Sequence, residues 1–153
     1  MVVKDDAGLK SLLDVRTIAV VGMSKDPKKY SRKIGAYLKG HGYHIIPVNP
    51  TAEEILGEKS YPSLLDIPEE LQKEIGLVDI FRPPEDVPLI VAQAVELRRR
   101  HGRLRGIWMQ LDIVNEAAAE LAENSGLEVV MDRCIMVEHK RLKQAVLQGK
   151  APE

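Results

Sequence analysis

Five short apolar segments alternate along the chain with longer segments whose apolar residues recur every three or four positions. The short segments are rich in β-branched residues, as are strands that are buried on both faces of a parallel sheet. They predict five strands, over residues 17–21, 44–48, 76–81, 106–110 and 127–131. In parallel sheets flanked by helices, ligands bind beyond the carboxyl ends of the strands, so the loops after these segments hold the candidate chemistry.

The longer segments have the periodicity of helices that pack against a sheet. They predict helices over residues 6–13, 31–39, 86–101, 116–123 and 135–147, with short helices over 63–65 and 69–73 in an irregular region. We therefore predict a doubly wound, Rossmann-like α/β fold, with helices on both faces of a mostly parallel five-stranded sheet. A length of 153 residues suits a single domain, and we expect residues 1–153 to form one.

Composition removes several classes of function. The 22 basic and 23 acidic residues nearly cancel, so we expect neither nucleic acid nor membrane as a partner. No apolar run approaches the roughly 20 residues that span a bilayer, and the N-terminus does not resemble a secretory signal, so we expect a cytoplasmic protein. A single cysteine, Cys134, excludes an internal disulfide and a cysteine-based zinc site, and we predict no bound metal.

The loop after the first predicted strand is a candidate anion site. A dinucleotide-binding motif would read G-x-G-x-x-G here, but the three key positions hold Gly22, Ser24 and Pro27. An ordinary strand-to-helix turn is the alternative interpretation. Cations that follow the loop favour phosphate binding, because a helix N-terminus without a ligand gains from acidic residues instead. These cations are Lys25, Lys28, Lys29, Arg32 and Lys33.

The loops after the second and third predicted strands add weaker candidates. Asn49, followed by Pro50, stands where an NAD-binding domain usually carries a carboxylate for the ribose hydroxyls, although Asn-Pro is also a common turn. Phe81 and Arg82 precede two prolines that fix an extended loop. Arg82 suits a phosphate or a base, and a solvated arginine on a turn is the alternative.

The last two predicted strands end in residues that suit a narrow channel. Met109 and Gln110 would offer an apolar side chain and an amide at the end of the fourth strand. Cys134 lies just beyond the fifth strand, where a thiol ligand would reach it. The alternative for an isolated cysteine is an inert buried residue.

Taken in order, these segments resemble the small single-domain CoA-binding proteins. Their Rossmann-like domain also forms the N-terminal part of the succinyl-CoA synthetase α subunit and of ADP-forming acyl-CoA synthetases. The resemblance covers most of the chain and is carried by IAVVGMSKDPKKYS (18–31), IIPVNP (45–50), ILGEKSYPSLLDIP (55–68), VDIFRPPEDVP (78–88), IWMQLDIVNEAAAELAENSGLEVVMDRC (107–134) and EH (138–139). One departure is Asp112, which stands where we expect glycine in the family.

The resemblance implies coenzyme A as the ligand. It places phosphate at the first loop, adenosine at the end of the second strand, and the nucleotide or upper pantetheine at the third. The thiol arm would run toward the fourth and fifth strand ends. The implied binding residues are Gly22, Met23, Ser24, Lys25, Ser31, Arg32, Asn49, Pro50, Phe81, Arg82, Met109, Gln110 and Cys134.

The resemblance also implies a binding module without catalysis of its own, because relatives with enzyme activity use additional domains that 153 residues cannot hold. A homo-oligomer or a synthetase-like partner subunit would fit this role. Two other functions stay open. One is a thiol-redox protein in which Cys134 forms a mixed disulfide with CoA, and the other is an NAD(P)-dependent enzyme, which the missing glycines and Asn49 disfavour.

Overall fold

The computed structural model describes residues 2–147, and the side chains of residues 2–144. Its strands are β1 (Thr17–Val21), β2 (His44–Val48), β3 (Glu54–Ile55), β4 (Glu58–Lys59), β5 (Ile75–Ile80), β6 (Gly106–Met109) and β7 (Glu128–Val130). Five of them form a parallel sheet in the order β2-β1-β5-β6-β7, and β3 pairs with β4 as a separate antiparallel hairpin. The strand order reverses direction between β1 and β5, which is the switch point where such folds bind ligands.

Helices cover both faces of the sheet. They are α1 (Asp6–Leu13), α2 (Tyr30–Gly40), α3 (Glu69–Gln72), α4 (Val87–His101), α5 (Glu116–Asn124) and α6 (Ile135–Leu147), with 3-10 turns at Leu64–Asp66 and Pro84–Asp86. The apolar stripes of α1, α2 and α6 form one core layer with the sheet, and those of α4 and α5 form the other. Burial of these stripes is what holds each helix, since helices of this length are marginal alone.

Alternation along each strand divides its side chains between the two layers. In β5, Val78 and Ile80 pack toward α4 and α5, whereas Leu77 packs toward α1, α2 and α6. Asp79, two positions after Leu77, therefore points toward the layer of α1, α2 and α6, and it is fully buried there. A carboxyl group in this position is the one polar interruption of a strand that is otherwise apolar.

The fold class and the five strands predicted from the sequence are confirmed. The predicted helix over 135–147 has the observed bounds, and the predicted strand over 127–131 is shortened to Glu128–Val130. The hairpin of β3 and β4 was not predicted. Its turn places Leu56 at φ +56° and Gly57 at φ +75°, and leucine is an uncommon residue in that conformation. Among the residues described, no helix has the length and apolar character to cross a membrane.

Candidate functional site

Gly22 allows the loop after β1, called the first loop, to pack against the loop after β5 at the switch point. Its φ of +86° is in the left-handed region, and its N–H donates to the Val48 carbonyl at 2.9 Å. A Cβ at this position would lie 2.5 Å from the Phe81 carbonyl oxygen and 2.9 Å from Arg82 Cδ. Glycine is therefore required both by the backbone conformation and by the contact with the loop after β5.

Polar side chains within the first loop fix its shape. The Ser24 N–H donates to Ser31 Oγ at 3.0 Å, so the loop is tied to the first turn of α2. The Ser24 hydroxyl accepts from the Asp26 N–H at 3.0 Å, and Asp26 Oδ1 accepts from the Lys28 N–H at the same distance. Because the Ser24 hydroxyl acts as an acceptor here, its own hydrogen is available for an anion.

The N-terminus of α2 lacks the groups that usually stabilise a helix start. Its N-cap is Lys29, which makes no side-chain capping bond, and the first turn contains no acidic residue. In contrast, Asp5 and Asn115 cap α1 and α5 with side-chain hydrogen bonds. The first N–H groups of α2, which have no partner within the helix, and the positive end of its dipole therefore lie beside the first loop, an arrangement that attracts an anion.

Cations around this helix start add to the same preference. Within residues 2–144, no carboxylate lies at ion-pair distance from any of the four lysines at this helix start, Lys25, Lys28, Lys29 and Lys33, and all four are exposed. Arg32 Nε is buried without a hydrogen-bond partner in that range. A buried guanidinium N–H without an acceptor is unfavourable, and an anion at this place would satisfy it.

Asn49 links the end of β2 to the first loop. Its Nδ2 donates to the Met23 carbonyl at 2.9 Å, and its Oδ1 accepts from the Thr51 N–H at 2.8 Å and the Thr51 hydroxyl at 2.9 Å. Both ends of the amide are engaged, so Asn49 positions the loop and offers no carboxylate to a ribose. Pro50 follows it and is exposed.

A cleft of about 230 Å³ opens beside the switch point. It lies between the loops after β5 and β6, and its walls include Tyr30, Phe81, Arg82, Gln110 and Leu111. Arg82 donates to Asp86 Oδ2 at 2.7 Å, and both side chains are more than 40 % exposed. Such an exposed pair contributes little stability, so Arg82 can exchange Asp86 for an anionic ligand at small cost.

The turn after β6 explains the departure at Asp112. The Ile113 N–H donates to the Gln110 carbonyl at 3.0 Å, and Asp112, the third residue of this turn, has φ +65°. That conformation favours glycine, which is the residue expected here in the family. Aspartate tolerates it better than most residues, and the Asp112 N–H donates to Asp132 Oδ1 at 2.7 Å. The turn keeps its shape despite the side chain.

Asp79 and Gln110 form a buried polar pair beneath the cleft. Gln110 Nε2 donates to Asp79 Oδ1, and Gln110 Oε1 accepts from the Ile135 N–H at the start of α6 at 3.1 Å. Asp79 Oδ2 is buried without a partner in the described part of the chain. Burial raises the pKa of Asp79 to about 8, although the hydrogen bond from Gln110 opposes the rise. Asp79 was not among the site residues predicted from the sequence, where its only signal is an acid inside an apolar strand.

Cys134 lies at the start of α6 and contacts α2. The Tyr30 hydroxyl lies 2.7 Å from Cys134 Sγ, and the thiol is 3 % exposed. Desolvation, and then the contact with Cys134, raise the pKa of Tyr30 to about 12. Tyr30 itself is 45 % exposed and lines the cleft, so it stands between solvent and the thiol.

The structure brings most of the predicted residues together. The residues around the switch point are Gly22, Met23, Ser24, Lys25, Ser31, Arg32, Asn49, Phe81 and Arg82. Gln110 and Tyr30 line the cleft, and Cys134 contacts the hydroxyl of Tyr30. The Met109 side chain, by contrast, is fully buried in the core layer of α4 and α5, and Met23 is fully buried in the other layer. Met23 faces the loop through its backbone.

Comparison with known proteins finds relatives of similar size and fold. The chain is 36 % identical over 134 residues to the uncharacterized protein YneT of Bacillus subtilis, and the match covers 87 % of this chain and 93 % of YneT. A solved structure of a hypothetical protein from Pyrococcus horikoshii superposes with a TM-score of 0.82. It is 37 % identical, over 92 % of this chain and 93 % of that one.

A longer relative is an enzyme. The chain is 38 % identical over 90 residues to the ADP-forming acetate–CoA ligase II of Archaeoglobus fulgidus, a match that covers 58 % of this chain but 13 % of the ligase. Residues 16–140 match the family model described as a CoA binding domain. The chain therefore belongs to the CoA-binding domain family.

Proposed function

We propose that this protein binds coenzyme A or an acyl-CoA as a module without catalysis of its own. The observation that carries the proposal is the start of α2 at the switch point, where the first N–H groups of the helix lie near exposed lysines and the buried Arg32 Nε, and where neither the lysines nor this Nε has a partner among residues 2–144. The absence of a Cβ at Gly22 lets the loop after β5 approach the first loop closely, which brings Phe81 and Arg82 beside the proposed phosphate site.

Each chemical group of CoA suits the residues of one of the loops that follow the strands. Its phosphates suit the backbone of Gly22–Lys25 together with Ser31 and Arg32, because these offer N–H, hydroxyl and guanidinium donors. The adenosine then lies beside Asn49 and Pro50, and the pantetheine passes Phe81 and Arg82. The thiol end reaches the cleft between Gln110 and Cys134, with Met109 behind it in the core.

The part of the ligase that this chain matches supports a role in binding CoA. The chain spans 13 % of the Archaeoglobus fulgidus enzyme, and the shared part is the CoA-binding domain. We propose that any reaction on the bound CoA belongs to a partner subunit. A binding module needs no acid or base at the thiol end, and the buried Cys134 and Asp79 are consistent with that.

NAD(P) is the rival ligand, and Asn49 distinguishes the two. A dinucleotide site uses a carboxylate at the end of the second strand to accept from ribose hydroxyls. Here the side-chain amide of Asn49 is already hydrogen-bonded to Met23 and Thr51. We therefore expect CoA to bind in preference to NADH or NADPH.

Calorimetric titration of the purified protein with CoA tests the proposal. We expect saturable binding of one CoA per chain at submillimolar concentration, and no displacement of CoA by equimolar NADH or NADPH. Circular dichroism of the same sample verifies that the protein is folded. Folded protein that gives no heat with CoA, or that exchanges CoA for NADH, would contradict the proposal.

A further inference from the structure

A second cleft, of about 440 Å³, lies beside the thiol end of the candidate site. Apolar side chains form much of its wall, namely Val2, Val3, Leu111, Met131 and Val137. Leu111 is 52 % exposed and Val137 is 50 % exposed. Exposed apolar residues that line one cleft are the usual sign of a binding surface for an apolar group.

The second cleft adjoins the first. Leu111 lines both of them. Cys134 lines the second, and its Sγ contacts the hydroxyl of Tyr30, which lines the first. A group attached to a thiol end in the first cleft would therefore enter the second by passing Leu111.

Two of the four charged residues that line the second cleft, Arg133 and Glu138, are paired with each other. Arg133 lies 3.1 Å from Glu138, which also pairs with Arg141 at 3.0 Å. Asp132 accepts from the Asp112 N–H. Lys4 is exposed and lies beyond Val3, whose N–H donates to the Val129 carbonyl at 2.7 Å and so fixes this wall to the edge of the sheet. The paired charges leave an apolar surface as the main feature of the cleft.

We propose that the second cleft binds the acyl chain of a medium-chain acyl-CoA. This inference rests on the proposed function, because it takes the thiol end of CoA to lie in the first cleft. An uncharged hydrocarbon chain suits walls of valine, leucine and methionine. The carboxylate of a dicarboxylic acyl group would meet only two cations of the lining, Lys4, which is exposed, and Arg133, which is already paired with Glu138.

Titration with CoA, acetyl-CoA and octanoyl-CoA tests the proposal. Each buried methylene contributes a factor of up to about four to affinity, so we expect octanoyl-CoA to bind at least about tenfold more tightly than acetyl-CoA. Succinyl-CoA should gain nothing over acetyl-CoA. Val137→Trp, which fills the second cleft from an exposed helix position, should bring the octanoyl-CoA and acetyl-CoA affinities together while leaving CoA binding unchanged.

Leu89→Trp is the matched control. Leu89 is 70 % exposed on α4, on the opposite side of the sheet, so this variant should keep the full preference for octanoyl-CoA. Two results would show that the second cleft does not bind the acyl chain while leaving the CoA site in place. In the first, CoA binds but octanoyl-CoA binds no more tightly than acetyl-CoA. In the second, Val137→Trp keeps the higher affinity for octanoyl-CoA. If folded protein binds none of the thioesters and no CoA, the proposed function fails and this inference fails with it.

Discussion

Asp79 is the residue whose environment conflicts most with its chemistry. A carboxyl group with an ordinary pKa of 3.8 is held in the folded protein at about 8, because burial disfavours its charged form. The folded state therefore retains a proton that the unfolded state has released between these two values. The stabilisation that Asp79 contributes to the folded state is complete below about pH 4 and decreases as the pH rises toward 8. Above pH 8 it does not change further.

Asp79→Asn removes this titration and keeps the shape of the side chain. We expect the free energy of unfolding of the wild-type protein to fall, relative to the variant, as the pH rises from 5 to 8. Urea denaturation at pH 5, 6, 7 and 8 measures the difference. A constant difference across this range would mean that Asp79 does not titrate there.

Gly22 and Gly42 form a matched pair for testing the close contact at the switch point. Both have positive φ, +86° and +92°, but a Cβ at Gly42 meets nothing within 4 Å. Alanine at either position incurs about 1–2 kcal/mol of backbone strain. Only Gly22→Ala also collides with the Phe81 carbonyl, so we expect it to lower the free energy of unfolding by more than Gly42→Ala does.

The same pair separates stability from binding. Gly22→Ala displaces the backbone donors proposed to hold phosphate, and the loss of one charge-assisted hydrogen bond weakens binding by about tenfold or more. Gly42→Ala, which lies at the other end of α2, should leave the affinity for CoA unchanged. Calorimetry on both variants measures this, and equal affinities would argue against phosphate at Gly22.

Among the helices, α2 is the one whose N-terminus would contact the phosphates of the proposed ligand. Lys28→Ala with Lys29→Ala removes two exposed cations beside the helix N-terminus. We expect CoA to bind about three- to tenfold more weakly, since each partly exposed charge contact contributes up to about 1 kcal/mol. The free energy of unfolding should rise by a few tenths of a kcal/mol, because cations oppose the dipole there.

The control for this variant is Lys73→Ala with Arg103→Ala. Both residues are exposed and remote from α2 in the sequence, and neither has an ion-pair partner among the described residues. This variant loses the same charge and should keep the affinity of the wild type. Titrations at 50 and 300 mM salt should also show weaker CoA binding at high salt. If the two double variants lose the same amount of affinity for CoA, net charge rather than the position of the lysines at α2 is responsible.

Most elements were predictable because their signals are local. Leu9, Leu12 and Leu13 share one face of α1, and Asn115 caps α5 as its sequence position indicates. The hairpin of β3 and β4 was not predictable in this way. Its strands have two residues each, too few for an alternating pattern, and Leu56 gives no sign of the left-handed conformation that it adopts.

In the whole molecule, strand order decides where the site lies. The alternation of strands and helices predicted a parallel sheet, but the order β2-β1-β5-β6-β7 is known only from the structure. The sequence did not reveal contacts between distant segments. Tyr30 and Cys134 are 104 positions apart, and their contact brings a wall residue of the first cleft against a wall residue of the second. Asp79 and Gln110 likewise meet only because β5 and β6 are neighbours. These contacts depend on register and side-chain direction, which periodicity alone does not specify.

We propose above all that the phosphates of CoA bind at the first loop and the start of α2. Amide NMR of the isotope-labelled protein during titration with CoA is the decisive measurement. We predict that the largest shift changes fall on Gly22, Ser24, Lys25 and the first turn of α2, and that they saturate at submillimolar CoA. No change at millimolar CoA, or changes confined to residues away from this loop, would contradict the claim.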